Sequence, residues 1–250
     1  MMKSFSKIDI MALINSLEVL WMYYGYDSTM ILVLIGAALV MFAQSRVTST
    51  FRKYDELESL NQITGRQAAQ VLLQASNIQD VSIEHVAGHL SDHYDPRSKV
   101  LRLSDATDRS TSIAAISVAA HECGHALQDA ESYGFLKLRS SFAPIAQFGS
   151  SLSMPLLMAG FILNIFSLVW IGIIAFGLAL AFQIITLPVE FDASKRALAI
   201  MESHHLIEPE ELPAAKKVLN AAAFTYVAST LNSAFTLLRF ILIANSRRRD

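Results

Sequence analysis

The chain has 250 residues, 53% of them hydrophobic and 17% charged, with a net charge of -2. Soluble chains carry about 25% charged residues, so much of this one belongs in lipid, and nothing in its charge points to nucleic acid. The only cysteine, Cys123, excludes an internal disulfide and fits a reducing compartment.

In chain order, Ile8 to Tyr26 mixes Asp9, Asn15 and Glu18 with apolar and aromatic residues. That pattern predicts an interfacial amphipathic extension over residues 1–27 rather than a signal peptide. The apolar run from Thr29 to Ala43 predicts a first transmembrane helix over residues 28–45.

Residues 46–140 read as a water-facing region. Thr64 to Ser76 predicts a short helix capped by Thr64 and ended by Asn77. Val81 to Ile83 and Lys99 to Ser104 read as strands, the second a possible edge strand for binding a substrate chain. Asp92 to Pro96 has turn chemistry. Asp108 to Asp129 predicts a longer helix, capped by Asp108 or Ser110.

No Asp, Glu, Lys or Arg lies between Arg139 and Glu190. A span needs about 20 apolar residues, so this gap holds two, read as an antiparallel hairpin within residues 141–188. Its arms are Pro144 to Leu163 and Phe166 to Leu187, with a turn at Asn164. Residues 189–217 then supply a cytoplasmic helix starting after Pro188. The C-terminal section, 218–250, holds an apolar stretch from Val218 to Ile243 and a basic tail, Arg247 to Arg249. The stretch is read either as a helix packed on the others or as a true span. Its one charge, Arg239, demands a partner such as Glu190, Asp192 or a carbonyl. Arg46, Arg52, Lys53, Lys137, Arg139, Lys195 and Arg196 flank the first three spans on one side, which the positive-inside rule places in the cytoplasm.

His121-Glu122-Cys123-Gly124-His125 has the form H-E-x-x-H. On a helix, positions four apart share a face, so both imidazoles reach one ion. Glu122 lies beside them as a general base. With 7 His and 11 Glu in 250 residues, chance supplies roughly 0.01 such motifs. Cys123 points to another face and reads as a small buried residue.

A catalytic zinc needs a third protein ligand. Glu190, Asp192, His204, His205, His85, His89 and His93 are the candidates. Glu190 leads because a hairpin leaving after His125 and returning at Glu190 brings the two helices together. An ordinary acid at a helix N-terminus is the competing reading of Glu190. His205, Tyr226 and Arg196 are candidates for oxyanion stabilisation, and Asp192 for orienting a ligand imidazole.

The runs LSDHYDPRSKVLRLS (Leu90 to Ser104), AAHECGHALQ (Ala119 to Gln128), TLPVEFDASKRAL (Thr186 to Leu198) and AAAFTYVAS (Ala221 to Ser229) occur in this order. Together they resemble the membrane neutral zinc metallopeptidase, or YugP-like, family from about Thr29 onward. The resemblance implies a gluzincin-type zinc site with His121, His125 and Glu190 as ligands and Glu122 as general base. The residue pattern itself is α+β: a mostly helical, multi-pass cell-membrane protein with a small cytoplasmic sheet-plus-helix domain, which the resemblance marks as zincin-like. The expected function is a Zn2+-dependent endopeptidase acting on membrane or membrane-near proteins from the cytoplasmic side. The expected partners are the lipid bilayer, a protein or peptide substrate, and a membrane protein or second copy of the chain. The alternatives are a non-catalytic scaffold with a structural zinc and a transporter. An intact Glu122 argues against the scaffold, and charge-free spans argue against the transporter.

Overall fold

The computed structural model describes residues 28–247; the N-terminal extension, Arg248 and Arg249 lie outside them. Over the described residues the chain is mostly helical with one three-stranded sheet. Helix α1 spans Met30–Asp55 and α2 Gly65–Ala75. Strands β1 (Ser82–Val86), β2 (His93–Asp95) and β3 (Val100–Ser104) follow. Then come a short α3 (Asp105–Asp108), α4 (Ile113–Ala130), α5 (Gly134–Ile162), α6 (Phe166–Ser203) and α7 (Leu212–Arg247).

Local chemistry accounts for many of these boundaries. Thr64 and Gln67 form a reciprocal capping box at the start of α2, and Asn77 takes a positive φ just past its end. Ser112 caps α4 by accepting from the Ala115 amide. Asp108 and Ser110, the caps expected from sequence, are engaged elsewhere. Asp108 sits in α3 and pairs with Arg66, while the Ser110 hydroxyl donates to Ser112.

The sheet order is β1-β3-β2, with β1 parallel and β2 antiparallel to β3. The Lys99 to Ser104 segment is therefore the central strand and not an edge. The segment expected as a turn, Asp92 to Pro96, supplies the edge strand β2 instead. Leu101 and Leu103 are fully buried against α2, α4, the end of α6 and the start of α7, in a core that includes Leu72, Ile116, Met201 and Leu219.

Helices α1, α5, α6 and α7 are each long and apolar enough to cross a membrane. They leave large apolar side chains bare, among them Met41, Phe148, Ile162 and Ile174, which suits lipid and not water. Helices α5 and α6 form the expected antiparallel hairpin, turning at Asn164 with φ +55°. Their backbones nearly touch there, since a Cβ on Gly160 would lie 2.7 Å from the Val169 nitrogen. Pro188 does not start a new helix. Helix α6 runs through it for 38 residues and joins the third apolar segment to the stretch that begins at Glu190. Helix α7 returns along the hairpin, and its Phe240 and Ala244 pack with Leu157, Val169 and Ile173 at the hairpin-turn end.

Candidate metal centre

Helix α4 presents His121 and His125 one turn apart on one face. Helix α6 crosses that face and presents Glu190, which is 2% exposed. His121 Nε2 lies 3.3 Å, and His125 Nε2 3.5 Å, from the same carboxylate oxygen, Glu190 Oε2. The ligand-type atoms of these three residues all lie within 4.8 Å of one another, and they form the one such group among the described residues. A buried carboxylate needs partners to offset lost hydration. Glu190 has them: its second oxygen, Oε1, accepts from Arg139 Nη1 at 3.1 Å.

The outer nitrogens of both imidazoles are held too. His121 Nδ1 lies 3.2 Å from Ser194 Oγ, one turn beyond Glu190 on α6. His125 Nδ1 lies 3.0 Å from Gln128 Oε1. Gln128 is fully buried and donates from Nε2 to the Val189 carbonyl at 2.8 Å and to Asp192 Oδ2 at 2.9 Å. With its amide nitrogen so engaged, Gln128 offers oxygen to the ring, so His125 Nδ1 carries the hydrogen. A neutral His125 then aims the lone pair of Nε2 at a carboxylate oxygen. Two acceptors face each other, and a proton or a metal ion between them relieves the repulsion. Burial opposes charge on His125, but hydrogen bonding to Glu190 and the nearby Glu122 and Glu190 charges outweigh it and raise the imidazole above its ordinary value. This donor set suits a zinc ion, for which two imidazoles and one carboxylate are standard protein ligands.

Glu122, 8% exposed, follows His121 directly. Its Oε2 accepts from the Tyr94 amide of β2 at 2.9 Å. Oε1 receives no hydrogen bond from the described residues. Strand β2 is itself pinned to α4: Asp129 Oδ2 accepts from Tyr94 Oη at 2.8 Å and from Lys99 Nζ at 2.7 Å. Tyr94, His121, Glu122, His125, Gln128, Asp129, Arg139 and Glu190 line one cavity of about 690 Å³, bounded by β2, α4, the start of α5, α6 and Tyr226 of α7.

The other candidates fall elsewhere, apart from His93. His93 lines the cavity, with Nδ1 turned to the Ser91 carbonyl. His85 pairs with Asp105, and the His89 ring packs on Phe51. His204 and His205 follow the end of α6, where the His205 carbonyl accepts from Asn61. Asp192 binds Gln128 and Arg196. Cys123 faces the Ala69 carbonyl in the core, and burial pushes its thiol up, away from thiolate chemistry. Of the three oxyanion candidates, Tyr226 lines the cavity; Arg196 is tied to Asp192 and Glu131.

Arg139, Gln128, Ser194 and the Tyr94 amide were not anticipated at this site. Helical spacing carries a signal for two of them, Gln128 at three residues from His125 and Ser194 at four from Glu190.

A family model described as "Putative neutral zinc metallopeptidase" matches residues 29–245. The chain is also 46% identical over 212 residues to the "Putative membrane protease YugP" of Bacillus subtilis (strain 168), covering 85% of this chain and 94% of that protein. No solved structure matches.

Proposed function

We infer the function from two premises: the chain belongs to the neutral zinc metallopeptidase family, and two imidazoles meet one buried carboxylate beside a second carboxylate. The reading is a membrane-embedded zinc endopeptidase of gluzincin type, acting on membrane or membrane-near proteins from the cytoplasmic side. The observation that carries it is the convergence of His121 and His125 Nε2 on Glu190 Oε2, with Glu122 on the same cavity wall.

His121, His125 and Glu190 would hold the ion. When bound, zinc supplies a Lewis acid that acidifies water and polarises a carbonyl. The remaining work falls to side chains of this chain. Glu122 takes the proton of the attacking water on its uncommitted Oε1, while the Tyr94 amide fixes Oε2. The same carboxyl returns that proton to the leaving amine, so one water and one peptide bond become a carboxylate and an amine. Tyr226 is our assignment for the hydroxyl that donates to the oxygen gaining charge. Arg139 donates to Glu190 Oε1 and holds the carboxylate aimed at the imidazoles. The basic residues near the site-facing helix ends support a cytoplasmic orientation.

The test is zinc content of the detergent-purified chain, together with hydrolysis of peptide or protein substrates. About one zinc per chain that falls sharply in Glu190→Ala, with Glu122→Gln keeping zinc and losing hydrolysis, is the expected result. Zinc retained in Glu190→Ala, or hydrolysis retained in Glu122→Gln, would sink the assignment.

A further inference from the structure

The four long helices stand in a row, α5-α6-α7-α1, rather than in a closed ring. Helices α5 and α7 each pack along α6 but scarcely touch one another. At the hairpin-turn end, Leu157 of α5, Val169 and Ile173 of α6, and Phe240 and Ala244 of α7 share one apolar cluster. At the site end the cavity lies between the same helices, lined by Ala143 of α5, Phe182 and Glu190 of α6, and Tyr226 of α7. The result is a cleft walled by α5 and α7 and floored by α6, joined at one end and continuous with the metal centre at the other.

The cleft descends into the apolar segment. Phe182 precedes Glu190 by eight residues, or about 12 Å of helix. It lies inside the stretch between Arg139 and Glu190 that carries no charged residue. One end of the cavity is therefore polar, formed by β2 and α4, and the other is apolar and at membrane depth.

We propose that this cleft admits, sideways from the lipid, the cytoplasmic end of a transmembrane helix of the substrate protein, and that hydrolysis falls where that helix frays into water. The proposal rests on the peptidase reading and narrows it from membrane-near proteins in general to one substrate class. The apolar, membrane-depth end of the cavity at Ala143 and Phe182 selects this occupant over a soluble loop, and the cost of extended backbone in hydrocarbon sets where hydrolysis falls. A peptide bond must be extended to be hydrolysed, and extended backbone in hydrocarbon leaves its N–H and C=O groups unpaired, which hydrocarbon penalises. The cavity fits that constraint. Its catalytic groups sit at the polar end, where the chain can be extended and hydrated, while Phe182 and Ala143 meet the apolar side chains of the last helical turns.

The test uses full-length Glu122→Gln protein in phosphatidylethanolamine and phosphatidylglycerol vesicles, with the photoreactive residue p-benzoylphenylalanine replacing Phe182 or, separately, Ala143. Ile174, on the lipid-facing surface of α6, carries the same residue as control. The probe is a single-span reporter protein with a flexible cytoplasmic tail; the tail alone, without its span, is the comparison. Adducts from 182 and 143 to the tail-proximal end of the reporter span should exceed the Ile174 control roughly tenfold, the factor that 1.4 kcal/mol of preferential docking gives. Equal yields at all three positions, adducts with lipid alone, or equal labelling of the spanless tail would overturn the proposal. Zinc is measured in the same preparations. Its absence would count against the peptidase reading while leaving the adduct pattern interpretable.

Discussion

Gly124 sits between the two histidines, and its lack of a side chain lets α4 and α6 meet. A Cβ built there would lie 2.5 Å from the Ala193 carbonyl oxygen, 3.0 Å from its carbon and 3.1 Å from the Ala193 Cα. All three are backbone atoms, so no rotamer change relieves the clash. For Gly124→Ala, α6 must retreat by roughly 1 Å to reach ordinary van der Waals distance. Glu190 lies one turn before Ala193 on the same helix and moves with it. Metal sites tolerate ligand displacements of about 0.2 Å, so the substitution takes the carboxylate out of range unless the helices strain. Overpacking of this kind costs about 1–3 kcal/mol. Taken wholly from zinc binding, that is roughly 5- to 150-fold in affinity. Zinc affinity is measured by competition with a chromophoric chelator, alongside thermal unfolding in detergent. Gly134→Ala is the control, because nothing lies within 4 Å of its added Cβ; it should be neutral or slightly stabilising. Wild-type zinc affinity and Tm in Gly124→Ala would refute the claim that this close approach positions Glu190.

Arg139→Met removes the donor to Glu190 Oε1 and should weaken zinc binding by about 10–100-fold, as loss of ligand-orienting partners does, with the far-ultraviolet circular dichroism unchanged. Asp129→Asn loosens the pin on β2; amide exchange at Tyr94 should quicken and kcat fall more than KM rises, while zinc content holds. The same cluster sets an alkaline dependence. Burial and Asp129 raise the Tyr94 hydroxyl, and Asp129 raises Lys99. The folded chain therefore keeps protons that the unfolded chain releases above about pH 10. Stability should fall as pH rises past that point, and less steeply in Asp129→Asn, as read from Tm across alkaline buffers.

Much of the centre was legible because it depends on helical period. The spacing of His121 and His125 needs no tertiary information, nor does the charge-free interval that forces a hairpin and returns Glu190 to the same end. What escaped was set by neighbours remote in sequence. Arg139 read as a charge flanking a span, and only the hairpin brings the start of α5 against the end of α6. The Tyr94 amide is a main-chain donor and leaves no trace in residue type. The strand Lys99 to Ser104 read as a possible edge because its own pattern says nothing of how many partners it has. Pro188 read as a helix start because proline removes an amide and crowds the preceding turn. In this chain α6 continues through it, with Val189, Glu190 and Ala193 buried just beyond.

That continuity bears on how the centre is placed. A helix is stiff, so the offset between Phe182 in the apolar segment and Glu190 at the candidate site is fixed by α6 itself and not by a loop. Had the chain broken at Pro188, the depth of the centre relative to the bilayer would follow from loop packing and could drift. As one 38-residue element, α6 couples bilayer position to the geometry of the candidate site. The span sets the height of Glu190, Gln128 ties α4 to α6 through the Val189 carbonyl, and β2 follows α4 through Asp129. Candidate site groups from three elements, α6, α4 and β2, are thus referred to a single helix that the membrane positions.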